Sequence, residues 1–167
     1  MDKYMIGIID DEETAISKIR GVIKENKPKD VEVDFKIYLL ENEEGVSITK
    51  LSKDILNDIK YGEIITLIID QKIMGNTGEI EGTEIFKNIK EKVDKFPMIM
   101  LTNVAEECIE NIFVDPDKVY KKSDFFAIDE EKSKEQVNKI FINAKKYIQN
   151  RKQIETKIKI LEDEISQ

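Results

Sequence analysis

The sequence predicts an α/β fold, in which helices cover both faces of a doubly wound, five-stranded parallel sheet and a long helix ends the chain. Residues 64–71 read IITLIIDQ, a continuous apolar and β-branched run that ends in the carboxylate of Asp70. A run of this kind is typical of a strand that is buried on both faces in the middle of a parallel sheet. Four further candidate strands alternate with amphipathic, helix-like stretches along the chain. This alternation is the second observation that predicts the fold class.

The first half of the chain supplies two of these strands and two helices. Residues 4–9 are apolar and end at two acids, which predicts the first strand, and isoleucines three and four positions apart then predict a helix. Residues 31–40 begin by alternating apolar and polar side chains, as expected of a strand near the edge of the sheet. After a polar loop at residues 42–45, apolar residues at helical spacing predict a helix with Ser47 as its cap and Gly62 as its end.

The middle of the chain supplies the remaining strands. Three glycines within residues 71–84 indicate a long loop without regular structure. A helical stripe over residues 83–92 follows, and the apolar run at residues 97–102 predicts the fourth strand. Residues 105–113 predict a short helix, and residues 119–120 predict a brief fifth strand.

The last third of the chain is predicted to be one long helix. Residues 133–167 contain no glycine or proline, and apolar residues recur in them at alternating spacings of three and four. We therefore divide the chain into a domain at residues 1–132 and a last helix at residues 133–167 that continues into a coiled coil. The expected partner is a second copy of the chain, with the polar Arg151 fixing the register, and a single helix that lies free or on the domain is the alternative. Because the pattern still runs at Gln167, we expect an output domain beyond it. The seam consists of Val137, Ile140, Ala144, Tyr147, Arg151, Ile154, Ile158, Leu161 and Ile165.

Composition argues against several classes of function. The formal net charge is -8 and no basic cluster is present, which argues against direct binding to nucleic acid. The chain has no histidine, so it has no histidine base, no histidine metal ligand and no phosphohistidine of its own. Its single cysteine, Cys108, excludes an internal disulfide and fits a reducing cytosol. No apolar stretch approaches the ~20 residues of a membrane span, so we expect a soluble, cytoplasmic protein.

Polar residues stand at the carboxyl ends of four of the predicted strands. Because the carboxyl ends of parallel strands meet at one edge of a sheet, where open α/β sheets bind their ligands, we expect these side chains to lie together. Each residue alone also has an ordinary interpretation, as a helix cap, a solvated turn or a surface lysine. The set comprises Asp10 and Asp11, Asp70, Thr102, and Lys122 or Lys121.

The residue types in this set suit phosphoryl transfer to an aspartate. Three carboxylates that lie ~4 Å apart repel one another by about 4 kcal/mol per pair at an effective dielectric constant near 20. They therefore require a divalent cation, and all-oxygen ligation favours Mg²⁺. A metal-bound aspartate such as Asp70 can attack phosphorus. Mg²⁺, the ammonium group of Lys122 and the hydroxyl group of Thr102 would then meet the charge on the three phosphoryl oxygens.

Five short motifs carry this set: IIDDEE at residues 8–13, LIID at 67–70, GTEIFKNIK at 82–90, PMIMLTN at 97–103 and VYKKSDF at 119–125. Together they resemble the receiver domain of two-component response regulators. The resemblance covers about residues 4–147 and implies a flavodoxin-like fold with strand order 2-1-3-4-5. It also implies a histidine kinase or a phosphotransfer protein as the phosphodonor. The implied roles are Mg²⁺ ligation by Asp10, Asp11, Asp70 and the backbone carbonyl of Lys72, phosphate acceptance by Asp70, phosphate sensing by the hydroxyl of Thr102, and phosphate binding by Lys122.

Three features depart from the family pattern. The lysine of the family usually precedes a proline, whereas Ser123 follows Lys122 here. The family usually carries a Met-Pro pair after the acceptor and reaches a glycine eight residues on, whereas this chain has no proline there. Gly78 has that spacing, but Gly82 better matches the start of the following helix. About four residues are therefore inserted in this chain. The position three before the lysine, aromatic in much of the family, is Val119, with Tyr120 adjacent. We therefore expect output through the last helix rather than through coupling of a threonine to an aromatic side chain.

Three functions are compatible with these residues. The first is a phosphorylatable receiver that controls a dimer or an output domain and at most phosphorylates and dephosphorylates itself, without enzymatic turnover. The second is a receiver fold that no longer accepts phosphate and serves as an interaction or dimerisation module. The third is a Mg²⁺-dependent phosphohydrolase of the haloacid dehalogenase type. That class requires Asp-x-Asp after the first strand, and Glu12 at the second acidic position makes the match poor.

Overall fold

The computed structural model describes residues 1–39, 48–75 and 78–166, and the side chains of all these except residues 74, 75, 78 and 79. The predicted loop at residues 42–45, the predicted cap Ser47 and the terminal Gln167 lie outside the described residues. The strands are β1 (Asp2–Ile9), β2 (Val31–Tyr38), β3 (Thr66–Asp70), β4 (Lys72–Gly75), β5 (Gly78–Glu81), β6 (Met98–Thr102) and β7 (Val119–Lys121). The α-helices are α1 (Glu13–Asn26), α2 (Ile48–Lys60), α3 (Gly82–Lys92), α4 (Ala105–Ile109), α5 (Lys122–Phe125) and α6 (Glu131–Ile165), and a short 3₁₀ helix spans Pro116–Lys118.

Five strands form one parallel sheet in the order β2-β1-β3-β6-β7. Numbered among themselves, these strands run 2-1-3-4-5, the doubly wound order of flavodoxin-like folds, so the predicted fold class and strand order are confirmed. Every residue of β3 is buried, as its continuous apolar sequence predicts. The predicted edge strand is β2, which lies at one end of the sheet and exposes alternate residues.

Two apolar layers cover the sheet. Successive side chains of a strand point to opposite faces, so Ile68 faces one layer while Leu67 and Ile69 face the other. Helices α1 and α6 pack on the face of Ile68 through side chains such as Ile19 and Ile140. Helices α2 and α3 pack on the opposite face. The parallel strands are therefore enclosed on both sides, and their carboxyl ends are the edge that remains open to a ligand.

The predicted loop after β3 is wrong, because this segment forms an antiparallel hairpin of β4 and β5. Lys72 pairs with Glu81 at one end of the hairpin and Gly75 with Gly78 at the other. The backbone N–H and C=O groups of this segment, which lie outside the main sheet, therefore bond to each other. The hairpin returns the chain to Gly82, whose N–H donates to the carbonyl of Gln71 at 2.6 Å. The helix predicted at residues 105–113 is also shorter than expected, since α4 ends at Ile109.

Helix α6 has two differently packed parts. Its first turns bury Val137, Ile140 and Ala144 against the domain, and Tyr147 meets the ring of Phe96 edge-on at 5.1 Å between centroids. Residues 152–165 beyond, which we call the tail, extend away and leave their apolar side chains exposed. Among the described helices, none combines the length and the apolar character that crossing a bilayer requires.

Arg151 marks the boundary between these two parts, and its predicted role in fixing the register of a coiled coil stays a prediction. Its guanidinium donates at 2.8 Å to the carbonyl of Ile59 and also to that of Lys60, at the end of α2. The last carbonyls of a helix lack partners within it and carry partial negative charge, which a cation satisfies. Gly62 ends α2 with a φ of 71°, as its predicted stop position requires.

Candidate functional site

Four strands of the sheet direct polar residues to one edge. Asp10 follows β1 directly, Asp70 is the last residue of β3, and Thr102 is the last residue of β6. Lys122 follows β7 and begins α5. The site is therefore assembled at the carboxyl edge of the sheet from residues that are up to 112 positions apart in the numbering of the chain.

Three carboxylates form an acid cluster, which we define as Asp10, Asp11 and Asp70. One oxygen of each lies within 4.8 Å of the others. Asp10 and Asp70 are buried and Asp11 is exposed. Oδ1 of Asp10 accepts the N–H of Glu12 at 2.9 Å, whereas the buried Oδ2 of Asp10 has no hydrogen-bond partner. A buried carboxylate oxygen without a donor is costly, and a cation is what would satisfy it.

Burial dominates the electrostatics of Asp10. It raises the pKa of this carboxyl group from the ordinary 3.8 to about 6, with the neighbouring charges of Asp70 and Asp11 adding to the rise. The hydrogen bond from the N–H of Glu12 and the charge of Lys122 act in the opposite direction but are outweighed. The acid cluster is thus held together against its own charge by the fold.

Lys122 provides the positive charge of the site. Its Nζ lies 2.7 Å from Oδ1 of Asp70, and the exposed fractions of the two side chains are 22% and 7%. Burial raises the pKa of Asp70, and the hydrogen bond and charge of Lys122 lower it. Lys121, the alternative considered from the sequence, is an exposed residue at the end of β7. The structure therefore brings Lys122, and not Lys121, to the carboxylate of Asp70.

Thr102 meets a partner that the sequence interpretation missed. Its buried hydroxyl donates to Oε1 of Gln71, the residue after Asp70, and its oxygen accepts the N–H of Val104 at 3.0 Å. The signal was present in the sequence, since an amide at the end of a fully buried strand needs a hydrogen-bond partner. Cys108 of α4 is also buried near Thr102, and burial raises the pKa of its thiol to about 11, which keeps it neutral.

A cavity of about 280 Å³, which we call the site cavity, opens beside Asp70. At its rim, Nζ of Lys72 lies 3.6 Å from Oε2 of Glu107, which joins the start of the hairpin to α4. Asp70 belongs both to the acid cluster and to the lining of the cavity. The cavity is lined by Asp70, Gln71, Lys72, Thr102, Asn103, Val104, Glu107 and Lys122.

The acid cluster fits a hard divalent cation. It offers three carboxylates, and the unpartnered Oδ2 of Asp10 is a free ligand atom inside it. Oxygen-only donor sets of this size suit Mg²⁺, which retains waters in its remaining positions. Lys72, predicted to contribute its backbone carbonyl, begins β4 two residues after Asp70 and lines the site cavity. Its role as a ligand stays a prediction.

No protein-family model matches the chain, and no curated protein sequence matches it. Among solved structures, the chain is similar to the RcsB response regulator of Salmonella typhimurium, with 18% identity, 76% of this chain and 56% of that chain covered, and a TM-score of 0.49. A second RcsB structure gives 21% identity, coverages of 73% and 52%, and a TM-score of 0.48.

NtrX from Brucella abortus is a third similar structure, with 14% identity, 96% of this chain and 30% of that chain covered, and a TM-score of 0.47. This chain therefore spans about half, or less, of the length of the solved chains it matches. Identities this low concern the fold alone. The fold itself, established by the strand order, is the doubly wound one that the receiver resemblance implied.

Proposed function

We propose that this chain is a phosphoacceptor receiver domain in which Asp70 is phosphorylated by a partner histidine kinase or phosphotransfer protein. The observation that carries the proposal is the position of the Asp70 carboxylate, which lies within the acid cluster and 2.7 Å from Nζ of Lys122. It also borders a cavity at the carboxyl edge of a parallel sheet. These 167 residues contain no histidine, so a phosphohistidine donor must lie outside them.

Mg²⁺ is the proposed cofactor. Asp10, Asp11, Asp70 and the carbonyl oxygen of Lys72 would hold it, and the unpartnered Oδ2 of Asp10 supports this assignment. When bound, the ion offsets the mutual repulsion of the carboxylates and the negative charge of the transferring phosphoryl group.

Phosphorylation at this site is a displacement at phosphorus. A carboxylate oxygen of Asp70 forms a bond to phosphorus while the bond from phosphorus to the imidazole nitrogen of the donor breaks, and the imidazole leaves with that electron pair. The product is an acyl phosphate on Asp70. The ammonium of Lys122 stays close enough to pair with a phosphoryl oxygen, and the hydroxyl of Thr102 lines the same cavity as a donor for another.

Mass spectrometry of the intact protein tests this proposal. Incubation with Mg²⁺ and acetyl phosphate should add one phosphoryl group, and chelation of Mg²⁺ should prevent the addition. Asp70→Asn should not be labelled, whereas Asp94→Asn, which changes an exposed aspartate after α3, should be labelled like the wild type. Failure of the wild-type chain to take up a phosphoryl group would reject the proposal.

The alternative is a receiver fold that serves only as an interaction module. The hairpin after Asp70 favours it, because the segment expected to shape the metal site carries an insertion and an ion pair from Lys72 to Glu107 at the cavity rim. The same mass measurement separates the two functions, since an interaction module would remain unlabelled. In either case we place the protein in the cytoplasm, where its single buried thiol stays reduced.

The proposed output is a homodimer formed through the tail. Ile154, Ile158, Leu161 and Ile165 recur at spacings of four, three and four and are all at least half exposed. The tail alone is about 21 Å long, short for an independent coiled coil, so the dimer is expected to be weak enough for phosphorylation to alter it.

Light scattering tests the dimer with a matched pair of variants. Leu161→Glu places a charge on the seam and should yield a monomer. Ile160→Glu makes a similar change to an exposed residue beside the seam and should keep the wild-type mass. A wild-type chain that is monomeric with and without phosphodonor would reject this output.

A further inference from the structure

We propose that Gln71 is a positioning residue for Thr102. Before phosphorylation it accepts the hydroxyl proton of Thr102, and the phosphoryl group on Asp70 must compete with it for that proton. The inference rests on the proposed function and adds to it a residue for which the family resemblance implies no role. Gln71 is buried, and its Oε1 accepts the proton of the Thr102 hydroxyl. The contact joins the residue after β3 to the last residue of the neighbouring strand β6.

Hydrogen bonds of the Gln71 main chain fix the position from which its side-chain acceptor projects. Its N–H donates to the carbonyl of Leu101 at 3.0 Å, and its own carbonyl accepts the N–H of Gly82 at 2.6 Å. The first bond continues the pairing of β3 with β6, and the second ties the base of the hairpin. The side chain therefore projects from a backbone that is fixed on both sides.

The proton count of Thr102 decides what this contact does. A hydroxyl group has a single proton to donate. The oxygen of Thr102 already accepts the N–H of Val104, and its proton is directed to Gln71, with the carbonyl of Val104 as a longer second acceptor at 3.1 Å. A phosphoryl oxygen on Asp70, which lines the same cavity, would need that same proton. Gln71 and the phosphoryl group are therefore competing acceptors for Thr102.

Removal of the competing acceptor should strengthen phosphoryl binding. Gln71→Met keeps a side chain of similar length but has no amide to accept the proton. Binding of beryllofluoride with Mg²⁺, a stable analogue of the aspartyl phosphate, should become about fivefold tighter, which corresponds to about 1 kcal/mol and is the net value of a typical hydrogen bond. The gain should require the hydroxyl of Thr102.

A double-mutant cycle measured by calorimetry tests the inference. In the Thr102→Val background, Gln71→Met should change beryllofluoride binding by less than about twofold, because no hydroxyl remains to be released. Gln136→Met is the matched control, since Gln136 is another buried glutamine, lies on α6 and does not line the site cavity. It should leave binding at the wild-type value.

Each outcome is decisive. Unchanged or weaker binding by Gln71→Met, or an equal gain in the Thr102→Val background, would overturn the inference while leaving the proposed function intact. If the wild-type chain bound no beryllofluoride, the proposed function would fall and this inference with it. If Gln71→Met did not fold, the NMR signal of the Gln71 side-chain amide would be followed instead. On adding beryllofluoride, this signal should shift in the wild-type chain and should not shift in the Thr102→Val chain. An equal shift in both proteins would overturn the inference.

Discussion

Replacement of Asp10 by asparagine should stabilise the metal-free protein and weaken its response to Mg²⁺. Asp10 is 2% exposed and shares the acid cluster with Asp11 and Asp70, so its negative charge is both desolvated and repelled. An asparagine oxygen keeps the acceptor for the N–H of Glu12 and removes the charge. The amide nitrogen would also stand where the unpartnered Oδ2 now lies, among carboxylates that accept hydrogen bonds.

The magnitude follows from the pKa of Asp10. At 1.36 kcal/mol for each pKa unit, the rise from 3.8 to about 6 corresponds to a cost of about 3 kcal/mol for the ionised group in the folded chain. Between these two pH values the folded chain holds a proton that the unfolded chain has released, so the free energy of unfolding falls as pH rises through the window. Since asparagine still buries an amide, we expect Asp10→Asn to gain about 1–3 kcal/mol above pH 6 and little below pH 4.

Urea unfolding across this pH range, with EDTA or with Mg²⁺, provides the assay. In EDTA the free energy of unfolding of Asp10→Asn should exceed that of the wild type by an amount that grows from pH 4 to pH 6 and then stays constant. Mg²⁺ should stabilise the wild type more than the variant, which lacks one of the proposed ligands, and so narrow or reverse the difference in unfolding free energy. Asp94→Asn, at an exposed site, should behave like the wild type throughout. A variant that is no more stable than the wild type in EDTA at neutral pH, or that gains as much from Mg²⁺, would refute the reasoning.

Three further substitutions test individual contacts. Gly82→Ala would place its Cβ 2.2 Å from the backbone oxygen of Asp70, so the variant should lose about 1–3 kcal/mol of stability and the proposed phosphoryl uptake. Gly21→Ala, where the added Cβ meets nothing within 4 Å on a helix, should be neutral or stabilising by chemical denaturation. Lys122→Met leaves a buried carboxylate without its cation and should cost about 2 kcal/mol and abolish labelling, whereas Lys121→Met at an exposed position should do neither. Arg151→Met removes the donors to the last carbonyls of α2 and should cost about 1 kcal/mol and make the tail more susceptible to limited proteolysis, while the same change at the exposed lysine that follows should have no effect.

The main sheet was predictable because its signal is local and repeated. The run that becomes β3 is largely apolar, which predicts burial on both faces of the sheet. The segment that becomes β2 alternates apolar and polar side chains, which predicts burial on one face. The hairpin was not predictable in this way. Its strands have four residues each and are held by main-chain pairing between Lys72 and Glu81, which needs no apolar periodicity. The capping of α2 by Arg151 likewise joins residues that are 91 and 92 positions apart.

The site was largely predictable for a topological reason. Once four strands are parallel and adjacent, the residues that end them must converge, so Asp70, Thr102 and Lys122 could be named from strand boundaries alone. The choice between Lys121 and Lys122 depended on one residue of strand length, and the structure ends β7 at Lys121. The bond from Thr102 to Gln71 depends on side-chain conformations across two strands, which a linear pattern does not specify.

The site and the tail lie at opposite edges of the sheet, so a signal between them must cross the domain. The tail leaves beside the end of α2 and beside Phe96, both at the amino edge, because α2 leads into β3 and Phe96 precedes β6. Lys122 begins α5, and the carbonyl of Phe125 at the end of α5 accepts the buried hydroxyl of Ser133 at 2.7 Å. Ser133 belongs to the first turn of α6, which runs without interruption into the tail. A displacement of Lys122 toward a phosphoryl group would therefore act on α6 through one short helix and one buried hydrogen bond, and α6 is continuous from that bond to the other edge.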